Sequence, residues 1–86
     1  MSDTEIIAQL KKTADIFEAY RVTSFFSYRK TKSVETQKVL VEIRDAGEDS
    51  TARYHVIATA GDKQVSGNAN ASLESALAIV HWWDLD

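Results

Sequence analysis

Between Lys38 and Ala60 apolar side chains return at every second position, and that alternation narrows most what this chain can fold into. Val39, Val41 and Ile43 alternate with Leu40, Glu42 and Arg44, as in a strand with one buried face, because successive side chains of an extended backbone point to opposite sides. Asp45-Ala46-Gly47-Glu48-Asp49-Ser50 reads as a polar turn. Beyond it, Arg53 to Ala60 alternates again, with Tyr54, Val56, Ala58 and Ala60 on one face and His55, Ile57 and Thr59 on the other. Gly61-Asp62 then predicts a two-residue hairpin, since glycine supplies the positive φ such turns demand, and a short third strand follows over Lys63 to Gly67.

Helical spacing flanks these strands. Ser2 with Glu5 has the form of a capping box, and Ile6, Ile7, Leu10, Ala14 and Phe17 form one apolar stripe, predicting an N-terminal helix of about 16 residues that stops near Tyr20 to Val22. Ser72 caps a second helix whose stripe is Leu73, Ala76, Leu77 and Val80, joined by Ile79 and Trp83. Neighbouring helical residues point about 100° apart, so Trp82 and Trp83 cannot both face one core. Asp84-Leu85-Asp86 is expected to fray, because negative charge opposes the C-terminal end of the helix dipole. Val22 to Arg29 is rich in strand formers and is a candidate edge strand with Val22, Ser24, Phe26 and Tyr28 on one face. Lys30 and Lys32 after it would discourage sheet-to-sheet aggregation.

The expected architecture is a single α+β domain over residues 1–86 in the order α-β-β-β-α. Its antiparallel sheet has three strands, or four if Val22 to Arg29 joins it, with the N- and C-terminal helices packed together on one face. A chain of 86 residues leaves roughly 35–40% of its unfolded surface exposed. There is no cysteine, so neither disulfides nor thiolate metal sites can form, and a reducing cytoplasmic setting is the simplest expectation. The acidic start lacks the form of a signal peptide, and no apolar run reaches the 18 or so residues of a membrane span, so no membrane association is expected. Proline is absent too, which favours regular structure over long stiffened loops.

The order of elements, and the segment from Val65 to Ala76 where a last strand runs through Ser66-Gly67-Asn68-Ala69-Asn70-Ala71 into a helix capped by Ser72, resemble the double-stranded-RNA-binding-domain fold between Lys38 and Trp83. The resemblance implies the fold and not the RNA contacts. Where that family has a lysine cluster at the start of its second helix, this chain has Ser72-Leu73-Glu74-Ser75. Where its first hairpin loop carries a Gly-Pro-x-His-like motif, this chain has Gly47-Glu48-Asp49-Ser50, whose two acids would repel phosphate.

Catalysis has little support. His55 and His81 stand in no triad or metal spacing, the acid pairs fall in a turn and a tail, and three glycines make no phosphate loop. The protein is expected not to be an enzyme and to use no cofactor and no metal. Charge is more informative: the formal net of −3 hides a middle third, Arg21 to Arg44, with six bases and two acids. There Arg21, Arg29, Lys30, Lys32, Lys38 and Arg44 interleave with Phe25, Phe26 and Tyr28. Cations beside flat rings suit nucleic acid, suit an acidic protein surface equally well, and are ordinary on a solvated edge strand. Adjacent tryptophans are the second cue, because tryptophan concentrates where interfaces are tightest; a core anchor with a flank-packed neighbour is the plainer account. The expected function is a small interaction module of adaptor or inhibitor type that binds another protein through Phe25, Phe26, Tyr28, Arg29, Lys30, Lys32, Trp82 and Trp83. The alternative is nucleic-acid binding through the six bases of the middle third. The chain is expected to be a monomer or a homodimer.

Overall fold

A computed structural model describes all 86 residues. In chain order it contains α1 (Asp3–Lys11), β1 (Arg21–Arg29), β2 (Gln37–Asp45), β3 (Tyr54–Ala60), β4 (Lys63–Ser66) and α2 (Leu73–Ala78), closed by a 3₁₀ turn at Trp82–Leu85. The strands form one antiparallel four-stranded meander in the order β1-β2-β3-β4, so Val22 to Arg29 is a strand and the sheet's first edge. The β3–β4 hairpin turns at Gly61-Asp62 as the sequence predicts, with Gly61 at φ 60°.

Alternation sorts the sheet into two faces. Register aligns Ile43 with Val56, and Val41 with Ala58 and through it Val65. These residues, with Val39, Tyr54 and Ala60, meet Leu73, Ala76, Leu77, Val80, Trp82 and Leu85 in one core. Small residues set the spacing: Ala58 and Ala76 are fully enclosed, so α2 lies close on β3. Gly67 extends that closeness beyond the strands, because a Cβ there would stand 2.8 Å from Ile79 Cγ1 and 2.9 Å from its carbonyl oxygen. α2 therefore covers β3 and its immediate neighbours, and the 3₁₀ turn continues the cover along β4.

Both helices are shorter than their periodicity suggests. α1 begins with the expected capping box: Glu5 N–H donates to Ser2 Oγ at 3.2 Å, and the Glu5 carboxylate accepts from Ser2 N–H at 3.4 Å. It ends at Lys11 rather than near Tyr20. Thr13 Oγ1 donates to the Gln9 carbonyl at 2.9 Å, drawing the last turn closed, and Ala14 and Asp15 then take left-handed backbone angles of 51° and 57° that a right-handed helix cannot contain. Phe17, expected on the apolar stripe, is 85% exposed. α1 is fastened at the end of the sheet: Ile7 is buried beside Gly47, Glu48 N–H donates to Thr4 Oγ1 at 3.2 Å, and Arg21 pairs with Asp3 at 3.0 Å.

α2 keeps its Ser72 cap, whose Oγ accepts from Ser75 N–H at 3.0 Å, but stops at Ala78 instead of reaching Trp83. A continuous helix would turn one tryptophan and Leu85 away from the core. The break at Ile79 to His81 instead brings Trp82 and Leu85 back onto the sheet, and Leu85 becomes one of the most buried side chains. The C-terminus, expected to fray, is ordered for the same reason. Gln37 Nε2 donates to the Leu85 carbonyl at 2.6 Å, Lys63 Nζ donates to the Asp86 carbonyl at 2.9 Å, and Arg29 pairs with the Asp86 carboxylate.

The Gly67 contact yields a direct test. Gly67→Ala forces Cβ against backbone of Ile79 that a rotamer change cannot move, so urea titration should show a loss of about 1–3 kcal/mol.

Candidate functional site

β1 is the least covered part of the fold. All of its residues but Ser27 and Arg29 are exposed, because the helical layer stands over β3 and β4. Pleating sends its aromatic side chains to different places. Phe26 and Tyr28 alternate onto the sheet face opposite α2, opposite Leu40 and Lys38; they are 69% and 66% exposed. Lys38 Nζ lies 4.7 Å from the centre of the Phe26 ring, a cation–π contact. Half-buried Leu40 and Ile57 continue this open face across β2 and β3.

Phe25 alternates to the α2 side but falls beyond the helix and stays half exposed. It lines an open groove of about 300 Å³ with Asp3, Arg21, Thr23, Ile43, Asp45, Tyr54 and Leu73. Lys30 and Lys32 lie outside the strand, in a connection held by Thr31, whose backbone N–H donates to the Val34 carbonyl and whose hydroxyl accepts from Val34 N–H. They follow the end of β1, as the sequence predicts.

The tryptophans occupy a third location. Trp82 is half-buried, and its indole N–H donates to the Leu77 carbonyl at 3.1 Å. Trp83 is 62% exposed and stacks on His81, ring centres 5.0 Å apart. The eight residues singled out for protein binding thus divide into an open-face pair, a groove residue, a connecting loop with the paired Arg29, and the C-terminal turn.

The basic residues are less free than their count suggests. Arg21 pairs with Asp3, Arg29 with Asp86 and Arg44 with Glu42, whereas Lys30, Lys32 and Lys38 form no ion pair. A further basic pocket of about 360 Å³ sits where the open face meets the β4–α2 connection, between Tyr20, Arg44, Arg53, His55 and Asn68. The pocket is not legible along the chain, because Arg53 lies outside the basic third and Tyr20, Arg44, His55 and Asn68 are brought together only by the sheet. Its Arg53 is already spent in a two-pronged bond to Asp45, with contacts of 2.7 and 3.0 Å. The same bond holds the Asp45 carboxyl below its ordinary 3.8, against an opposing push from burial, and raises the Arg53 pKa. Tyr20 donates to the Glu18 carboxylate at 2.9 Å, which raises its phenol above 10.0.

No three His, Asp or Glu side chains stand together in a way that could hold a metal ion, and no helix is long and apolar enough to cross a membrane. No protein family, curated protein or solved structure matches this chain.

Two predictions follow from these environments. Trp83→Ala should leave thermal stability within about 0.5 kcal/mol, while Trp82→Ala, losing core contact and an indole hydrogen bond, should cost roughly 2–3 kcal/mol in a chemical melt. Because Asp45 is depressed in the folded state, its contribution is complete above pH 3.8 and disappears as pH falls through the lower folded value. Arg53→Ala should therefore flatten the dependence of stability on pH in that acidic window, as read from urea melts.

Proposed function

We propose that this protein is a non-enzymatic interaction module, of adaptor or inhibitor type, that binds another protein on the open face of its sheet. The observation that carries the reading is the exposure of Phe26 and Tyr28 side by side on that face, with Leu40 and Ile57 extending the apolar surface beneath them. Exposed aromatic rings on a rigid sheet offer large contact area at little conformational cost, as residues that dominate interfaces do. Asp3 reaches Arg21, whose side chain shares the α2 side of the sheet; this supports α1 standing on that side with α2 and leaving the aromatic face unobstructed.

The partner's chemistry follows from the rim. Lys38, Lys30 and Lys32 are cations without a carboxylate partner, so the fitting surface is an apolar patch bordered by acidic side chains, to which unpaired lysines add specificity and speed of encounter. A polyanionic nucleic acid fits less well: Arg21, Arg29 and Arg44 are each neutralised internally, and the chain outside the basic third is strongly acidic.

The test is capture from the native host followed by purification of whatever is retained. Phe26→Ser with Tyr28→Ser should weaken binding of the purified partner by on the order of 30-fold or more, with circular dichroism showing that the sheet is still folded. Trp83→Ala should leave binding intact. A partner indifferent to the double substitution would refute the open-face reading. So would low-salt gel shifts with duplex or single-stranded nucleic acid that vanish steeply as salt rises.

A further inference from the structure

We infer that two copies of this chain pair through β1, edge to edge and antiparallel about a two-fold axis at Phe25, to form a continuous eight-stranded sheet. β1 is a nine-residue strand with β2 on one side and nothing on the other. Its free edge presents unpaired backbone N–H and C=O groups over about 30 Å, whereas the opposite edge, β4, has four residues. Edge strands are ordinarily kept single by an inward charge, a proline, a bulge or a cover. Between its two terminal arginines β1 has none of these: Val22 to Tyr28 contains no charged residue and no proline, its ladder with β2 runs unbroken from Arg21 to Arg29, and Lys30 and Lys32 fall in the loop beyond.

The strand is complementary to itself. About Phe25, the two Phe25 rings meet at the axis, Val22 faces Tyr28 of the second copy, and Ser24 faces Phe26. Aromatic and aromatic–β-branched cross-strand pairs of this kind are favourable. Centring one residue later, on Phe26, would shorten the ladder and set Lys30 opposite Val22.

At the two ends Arg21 meets the second copy's Arg29, but neither arrives as a bare cation. Arg21 carries Asp3 and Arg29 carries Asp86, so each end brings together two bases and two acids. A nine-residue antiparallel pairing forms about eight to ten backbone hydrogen bonds, within the usual complement of a specific interface.

Opposed residues in antiparallel strands point to the same side, so the open faces of both copies merge and Phe26 and Tyr28 of each become one aromatic surface, with both α2 helices on the reverse. The inference stands on the edge and not on partner binding. Failure to dimerise leaves the open-face reading untouched, and an indifferent partner leaves the dimer untouched.

The full chain should sediment as a dimer at concentrations on the order of 100 µM and dissociate on dilution. Phe25→Lys and Phe25→Glu each set like charges together at the axis, and each should weaken self-association by on the order of 100-fold, with circular dichroism confirming the fold. Mixed in equal amounts, the two variants should restore a dimer. Amide exchange of the wild-type chain is independent of any variant and should show protection in β1 that increases with protein concentration. A wild-type chain that stays monomeric at the higher concentration, a Phe25→Lys dimer of undiminished strength, a folded mixture that remains monomeric, or β1 exchange indifferent to concentration would each overturn the proposal.

Discussion

A helix of six residues must cover a sheet of four strands, and it cannot. Strands repeat every 4.8 Å or so and a helix with its side chains is about 10 Å across, so one helix shelters roughly two strands. α2 spends that cover on β3 and its neighbours, drawn close by Ala58, Ala76 and Gly67. The 3₁₀ turn adds Trp82 and Leu85 to the same patch. What α2 leaves uncovered is β1, together with the sheet face opposite that helix. The small buried core, the exposed rings and the free edge are therefore one consequence and not three separate features.

β1 persists because its ladder with β2 is complete, and because the two ends of the chain are tied to the two ends of the strand. Asp3 from α1 reaches Arg21, and Asp86 from the C-terminus reaches Arg29. Exposed pairs of this kind contribute at most about 1 kcal/mol each, so they position the strand more than they stabilise it. Their larger effect is electrostatic: both arginines are neutralised where the strand would otherwise end in bare positive charge. α1, with Ile7 as its one buried side chain, has little else to hold it, and by the same logic belongs to the regions that open most easily.

The elements set by local rules were legible in the sequence. Alternation over Val39 to Ile43 and Tyr54 to Ala60, the Gly61-Asp62 turn and the Ser2 and Ser72 caps each follow from backbone chemistry within a few residues, and each stands where its pattern puts it. What escaped was decided by distant contacts. Periodicity through Phe17 extended α1 across Ala14 and Asp15, where the chain turns left-handed and no core awaits the ring. Periodicity through Trp83 extended α2 past the point where the sheet ends, and the gain from burying Leu85 broke the helix. Asp86 looked free because Arg29, which meets its carboxylate, and Lys63, which donates to its backbone carbonyl, lie far away in sequence.

The candidate site shows the same limit more sharply. In the sequence, Phe25, Phe26 and Tyr28 form a single cluster studded with bases. In the fold, alternation alone sends Phe25 to one side of the sheet and Phe26 and Tyr28 to the other, so a linear cluster on a strand is always two surfaces. The bases divide again, because three of the six meet acids contributed by α1, β2 and the C-terminus. A charge count along the chain therefore overstated the positive surface. Rings without adjacent unpaired arginines on the open face are why we propose protein contacts over phosphate contacts, since the attraction left to three lysines is small beside the acidity of the rest of the chain.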